Sequence, residues 1–102
     1  MRTSRQWALG LALGLVSAFA GAEGVDLQAR VWAASCAACH GTQGKSQGGI
    51  ASIAGVDKQQ LLDKLLAYKN GTLPATVMHQ HAKGYTDAEL ARLADHFSRL
   101  PR

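Results

Sequence analysis

The chain has 102 residues, with 11 lysines and arginines, seven acidic residues, two cysteines and four histidines. This length fits one small domain and excludes a multidomain enzyme. The net charge is only +4 and the basic residues form no stripe, which argues against a protein that binds nucleic acid through its phosphate backbone.

The first 22 residues have the pattern of a secretory signal peptide. Two arginines precede an uncharged run of sixteen residues from Trp7 to Ala22, which ends in small residues. A membrane-spanning helix needs roughly 20 apolar residues, so this run is too short for an anchor. We place cleavage before Glu23, with cleavage before Gly21 as the alternative. We therefore expect a signal peptide over 1–22, a mature domain over 23–102 in the periplasm, and no stable membrane insertion after cleavage.

The mature segment is poor in material for a hydrophobic core. Cleavage would leave 80 residues with a net charge of +2, and only four of them are aromatic. Ordering a chain costs about 1 to 2 kcal/mol per residue, and a small buried area offsets this cost poorly. We therefore expect a disulfide, a metal or a cofactor to complete the core.

Three helices are predicted in this segment, and neither of the loops between them has a strand pattern. The first helix begins at Asp26, a suitable N-cap, and continues to the two cysteines. Leu27, Val31 and Ala34 fall on one face of it and are predicted to be its apolar face. The fold class is therefore predicted to be all-α.

The second and third helices have clearer boundaries. The second begins at Asp57, which together with Gln60 is a variant of the capping box, and it ends at Gly71. The third begins at Thr86, and Glu89 three residues later completes a capping box. Their predicted apolar stripes are Leu61, Leu62, Leu65 and Leu66 in the second helix, and Leu90, Leu93, Ala94, Phe97 and Leu100 in the third.

Two loops separate the three predicted helices. The segment 41–55 contains five glycines, too many for a regular element. The segment 72–85 contains Pro74, Met78 and two histidines, and we assign it to a loop. Loops of this length are unusual in a small domain unless something anchors them.

The chemistry of the chain is concentrated in the run Cys36-Ala-Ala-Cys39-His40. Two thiols two residues apart, followed at once by a histidine, form the attachment pattern of a c-type haem. A redox dithiol would need a preceding strand, and a zinc site would need two more ligands, for which His79 and His81 are the only close pair. A plain disulfide would leave the core incomplete. The pattern therefore predicts one covalently attached haem c, with His40 as an axial ligand of its iron.

A second axial ligand must come from elsewhere in the chain. Met78 is the only methionine that remains after signal cleavage, and it follows Pro74 in a predicted loop. A His/Met pair favours ferrous iron and is typical of electron-carrying cytochromes. His79, His81 or an open position are the alternatives. With the haem as the core, we expect the last helix to cross the first at Ala33 and Ala34.

Several segments together resemble a class I cytochrome c. They are the run CAACHGTQGKS from Cys36 to Ser46, Ser52–Ala54, Met78, the segment Ala82–Tyr85 and the helix end Ala94–Phe97. In particular, these segments resemble the haem domain of the cytochrome subunit of flavocytochrome c sulfide dehydrogenase. The resemblance implies the class I fold, with three main helices and long loops around one haem.

The resemblance also implies a function and a partner. Cys36, Cys39, His40 and Met78 match the family's haem-binding positions. Such a subunit accepts electrons from an FAD-containing, sulfide-oxidising flavoprotein and passes them to other periplasmic carriers, without catalysis of its own. The alternatives are a free cytochrome shuttle and, from another class, a haem sensor with an open iron. Solubility is the preferred explanation for five lysines, and a docking face is the alternative: Lys45, Lys58, Lys64, Lys69 and Lys83.

Two features depart from the family pattern. The family often has two haem domains in this subunit, whereas this chain has one attachment motif. The loop after Ser46 has Gly48-Gly49 where relatives commonly have Gly-Pro, near the carbonyl that orients the axial histidine. We expect Gly49 to offer the carbonyl for His40, with more conformational freedom than a proline would leave.

Overall fold

A computed structural model describes Gly14 and residues 24–102. The predicted signal peptide over 1–22 lies outside the described residues, apart from Gly14, and stays a prediction. The described part contains no strand, which confirms the all-α class. None of its helices has the length and apolar character needed to cross a bilayer. The elements in chain order are α1 (Leu27–His40), a 3-10 turn (Thr42–Gly44), α2 (Lys58–Asn70), α3 (Met78–Lys83) and α4 (Asp87–Ser98).

The helix starts follow from their capping residues. Asp26 accepts a hydrogen bond from the backbone N–H of Ala29 through Oδ1 at 3.0 Å, and Asp57 accepts one from Gln60 N–H at 3.1 Å. Each carboxylate thereby satisfies a backbone donor that has no partner inside its helix. The predicted starts of the first two helices are confirmed.

A complete capping box is present at the start of α4. Thr86 Oγ1 accepts from Glu89 N–H at 3.1 Å, and the Glu89 carboxylate accepts from Thr86 N–H at 2.9 Å. At the other end of α2, Gly71 adopts the left-handed conformation with φ of 76°, which a residue without a Cβ reaches at no steric cost. Both predicted boundaries are confirmed.

The predicted loop over 72–85 is wrong in one respect, because it contains α3. This six-residue helix begins at Met78 and packs against α2. Its N-cap is Val77, which has no side chain able to accept a backbone hydrogen bond. Residues 24–102 therefore include a fourth, short helix in addition to the three predicted ones.

The hydrophobic core lies where α4 meets α1 and α2. Leu90 is fully buried and the apolar stripe of α4 faces inward, as predicted. Ala33 of α1 lies in the same cluster, so its small side chain allows the close approach expected between the first and last helices. Ala34, the other residue expected at this crossing, is exposed, so that part of the prediction is wrong. The core cluster consists of Ala33, Leu61, Leu90, Leu93, Ala94 and Phe97, with half-buried residues such as Trp32, Cys36 and Ile53 packed against it.

The predicted apolar face of α1 is wrong. Leu27 and Val31 are each 66% exposed, and Ala34 is exposed as well. The buried face is instead formed by Ala29 and Ala33. Because α1 has apolar residues on most sides, periodicity alone did not identify the side that packs. The requirement for close contact with α4 selects the smaller residues.

A polar and aromatic cluster joins the start of α1 to α4. Arg92 donates two hydrogen bonds to the Asp26 carboxylate, at 2.6 and 2.8 Å, in a bidentate pair. The Arg92 guanidinium also lies over the Trp32 ring, 4.8 Å from its centre, and Trp32 contacts Tyr85 edge to face at 6.0 Å. The Arg92 hydrogen bonds, followed by the Ala29 backbone N–H, hold the pKa of Asp26 well below its usual range.

Candidate haem-binding site

The two cysteines and the adjacent histidine occupy the last turns of α1. Cys36 is half-buried and packs against the core cluster, whereas Cys39 is exposed, and both are free thiols. Positions three residues apart lie on one side of a helix, so both sulfurs are presented from the same end of α1. Burial raises the pKa of the Cys36 thiol. The helix thus offers two thiols and one imidazole side by side.

The orientation of His40 is fixed by a backbone carbonyl. Its Nδ1 lies 2.7 Å from the carbonyl oxygen of Ala51. A carbonyl oxygen only accepts, so Nδ1 donates the proton and Nε2 keeps its lone pair. Ligating histidines in proteins are usually held in this manner, because the second hydrogen bond sets the tautomer and the ring direction. His40 is therefore prepared to bind a metal through Nε2.

The residue that supplies this carbonyl differs from the expected one. The comparison with the family pattern predicted that the Gly49 carbonyl accepts from His40. In the structure, the Ala51 carbonyl accepts from His40 Nδ1 instead. The loop is anchored just beyond Ala51, where the Gly44 carbonyl oxygen accepts hydrogen bonds from Ile53 N–H at 2.9 Å and Ala54 N–H at 3.2 Å. Gly44 is buried and has φ of 76°. The 3-10 turn thereby fixes the end of the loop that carries the carbonyl.

Met78 is the first residue of α3 and is half-buried. His79 follows it and is half-buried, while His81, on the same short helix, is exposed. Because α3 packs on α2, the position of the thioether depends on that contact. The assignment of Met78 as the second axial ligand stays a prediction.

The donor set and its surroundings fit a haem c. An imidazole with a free Nε2, a thioether and two thiols are the groups that such a haem requires. Two exposed apolar side chains adjoin these groups in sequence: Ile50 precedes Ala51, whose carbonyl oxygen accepts from His40 Nδ1, and Val77 precedes Met78. Exposed apolar side chains are therefore present in the two segments that carry the His40 acceptor and Met78.

The competing explanations of the cysteines have no support in the described part of the chain. There, no three His, Cys, Asp or Glu side chains come together as a set of metal ligands. A thioredoxin-like dithiol needs a strand before the motif, and α1 is preceded by no strand within residues 24–102. Within residues 24–102, the ligand cluster required by the zinc alternative and the preceding strand required by the dithiol alternative are both absent.

A helical domain that presents a thiol pair and an oriented imidazole at one helix end has the arrangement of a c-type cytochrome. Comparison with known proteins confirms this class. Residues 24–97 match the family described as cytochrome c oxidase, cbb3-type, subunit III, and the chain belongs to this family.

Three relatives show how the similarity is distributed. The chain is 44% identical to the cytochrome subunit of sulfide dehydrogenase from Chlorobaculum tepidum, over 67% of this chain and 62% of that protein. It is 37% identical to a thiosulfate dehydrogenase electron acceptor from Thiomonas intermedia, over 67% of this chain and 32% of that protein. It is 35% identical to cytochrome c-553 from Nitratidesulfovibrio vulgaris, over 88% and 87% of the two chains.

The relatives confirm the predicted resemblance to a c-type cytochrome. The chain spans less than two thirds of the length of the first two relatives, and most of the length of the third. The first relative carries the name of the subunit that the sequence segments resemble.

Proposed function

We propose that the chain is a monohaem electron-transfer protein. Cys36 and Cys39 would hold a haem through thioethers, formed when each thiol adds to one of its vinyl groups, and His40 and Met78 would bind its iron. The observation that carries this proposal is the 2.7 Å contact between His40 Nδ1 and the Ala51 carbonyl, because it directs Nε2 away from the loop as a metal ligand.

The residues of the chain have defined roles in this function. When bound, the haem supplies a one-electron iron couple. His40 donates its Nε2 lone pair, and the Ala51 carbonyl increases the basicity of the ring by accepting from Nδ1. Met78 contributes a soft sulfur donor that favours the ferrous state. The core formed by α1 and α4 holds the attachment motif in place.

Covalent attachment is tested by mass spectrometry of protein matured in a periplasm that contains the haem-attachment machinery. We expect one haem per chain in the wild-type protein and none in the Cys36→Ala, Cys39→Ala double variant. The double variant should also lose most of its helical circular dichroism. A wild-type protein with the bare peptide mass, or a stably helical haem-free double variant, would contradict the proposal.

The sixth ligand is tested by three single variants. Ferric iron bound to a thioether has a weak sulfur-to-iron band at the red end of the spectrum. We expect this band to be lost in Met78→Ala and kept in His79→Ala and His81→Ala. Carbon monoxide binding by the reduced wild-type protein, without the band in the ferric form, would instead indicate an open site.

We also propose that residues 1–22 direct export and are cleaved, so that residues 23–102 form the haem domain in the periplasm. The electron donor of this domain is proposed to be an FAD-containing flavoprotein. The support for the donor is the 44% identity to a cytochrome subunit of sulfide dehydrogenase. The protein would accept one electron at a time from the reduced flavin and pass it to another periplasmic carrier. Isolation from the source organism should recover a flavoprotein in stoichiometric amount, and an N-terminal sequence of the mature protein should begin at Glu23.

A free shuttle between an oxidase and a reductase is the second candidate function. It is favoured by the similarity to cytochrome c-553, which extends over 87% of that protein. Recovery of a haem-containing monomer without a flavoprotein would select the shuttle.

Charge steering of the partner is a further part of this test. Lys69 is paired with Asp87 at 2.7 Å and Lys58 with Asp95 at 3.6 Å. These two lysines are therefore partly neutralised, which favours a structural role for them. Electron transfer to an acidic partner should slow with rising ionic strength if the remaining lysines steer docking, and an unchanged rate would assign them to solubility.

A further inference from the structure

We propose that Ser52 and Ser46 are positioning residues for His40. Their hydroxyl groups fix the loop over 46–52, and the fixed loop holds the Ala51 carbonyl against the imidazole. This inference rests on the proposed function, in which His40 is a ligand of haem iron.

The two serines close the loop through their side chains. Ser52 Oγ accepts a hydrogen bond from Ser46 N–H at 2.9 Å, which joins residues six positions apart. Ser46 Oγ accepts from Gly48 N–H at 3.2 Å and lies 3.3 Å from the Gly48 carbonyl oxygen. The hydrogen bond between Ser46 and Ser52 thereby joins the first and last residues of the loop over 46–52.

The loop has little else to hold it. Within the described residues, the backbone N–H groups of Lys45 and Ile53, which flank the loop, donate to backbone carbonyls. No backbone N–H group of residues 46–52 does so. Gly48 and Gly49 have the greatest conformational freedom of any residue type. The Ala51 carbonyl adjoins Ser52 directly. Its position therefore depends on the hydroxyl of Ser52 together with the Gly44 carbonyl that anchors Ile53.

Loss of these serine hydrogen bonds should change the relative stability of ferric and ferrous iron. A carbonyl that accepts from Nδ1 makes the imidazole a stronger donor, which favours ferric iron. A loosened carbonyl weakens that donation, so the ferrous form becomes relatively more stable. Removal of the Ser52 hydroxyl should therefore raise the reduction potential of the holoprotein.

The test is Ser52→Ala, measured in the haem-loaded protein. We expect the equilibrium constant for reduction to rise by about twofold to fivefold, which corresponds to about 20 to 40 mV at 59 mV per tenfold change. In the reduced protein, the His40 Nδ1 proton, followed by nuclear magnetic resonance, should exchange with solvent faster than in the wild type. A variant that has merely lost stability would not show both changes while folded.

Two matched variants serve as controls. Ser52→Thr keeps a hydroxyl at the same position and should restore the wild-type potential and exchange rate. Gln47→Ala changes an exposed residue of the same loop, whose side chain makes no hydrogen bond in the described part of the chain, and it should have no effect.

The outcomes separate this inference from the proposed function. A wild-type protein without covalent haem refutes the function. Haem-loaded Ser52→Ala with wild-type potential and wild-type proton exchange overturns the inference alone. If Ser52→Ala does not accumulate, Ser46→Ala is measured in the same way. If neither accumulates, amide exchange in the wild type decides, since a Ser46 amide that exchanges as fast as the Gln47 amide would overturn the inference.

Discussion

Substitution of Gly44 by alanine tests how tightly the 3-10 turn is packed. A Cβ built at this glycine would lie 3.0 Å from the Ala54 backbone nitrogen and 3.1 Å from both Ile53 Cγ1 and Phe97 Cδ1. The left-handed backbone costs a residue with a Cβ about 1 to 2 kcal/mol, and overpacking costs about 1 to 3 kcal/mol more. We therefore expect Gly44→Ala to lower the free energy of unfolding by about 2 to 5 kcal/mol.

The chain contains a matched control for the backbone part of this cost. Gly71 has the same φ of 76°, and a Cβ there would meet no atom within 4 Å. Gly71→Ala should therefore lose only the conformational part, about 1 to 2 kcal/mol. The difference between the two variants isolates the packing of the turn against Ile53 and Phe97.

The assay is equilibrium unfolding of the haem-loaded protein in denaturant, followed by helical circular dichroism. Equal losses in Gly44→Ala and Gly71→Ala would show that the neighbours of the turn move aside at no cost, which would refute the packing argument. Because the Gly44 carbonyl anchors Ile53 and Ala54, the first variant should also speed exchange of the His40 Nδ1 proton. The second variant should leave that exchange unchanged.

Three further predictions concern the helices. Thr86→Ala removes the N-cap of α4 and should cost about 1 kcal/mol in denaturant unfolding, whereas Thr76→Ala, at an exposed loop position, should cost little. Leu90→Ala empties a fully buried position and should cost about 2 to 5 kcal/mol in the same assay; a loss below that of the cap would contradict the assigned core. The hydrogen bonds from Arg92 lower the pKa of Asp26 in the folded state, so their stabilisation is present above the ordinary aspartate value of 3.8 and is lost as the pH falls below it. An acid titration of thermal stability should therefore fall more steeply for the wild type than for Asp26→Asn, and parallel curves would disprove the linkage.

Helix boundaries proved predictable wherever a side chain itself makes the cap. Asp26, Asp57 and Thr86 each accept a backbone hydrogen bond from a residue three positions later, so the signal is local and legible in the sequence. The start of α3 carries no such signal, because Val77 precedes it without a capping group. The packing face of α1 was not predictable from periodicity, since it depends on which side α4 covers.

The candidate site likewise has parts that the sequence predicts and a part that it does not predict. Cys36, Cys39 and His40 are neighbours in sequence, so their pattern alone indicates the chemistry. The Ala51 carbonyl was missed because a backbone acceptor leaves no mark on residue type, and an expectation drawn from relatives placed it at Gly49. Only the folded loop determines which of several carbonyls reaches the imidazole.

The pairing of Asp26 with Arg92 has a consequence for the order in which the molecule matures. These residues are 66 positions apart, so the contact between the start of α1 and α4 forms only after the intervening segment has been made. A 14-residue helix without tertiary contacts is only marginally stable in water. Until α4 packs against it, the helix that carries the two thiols therefore lacks the tertiary contacts that stabilise it.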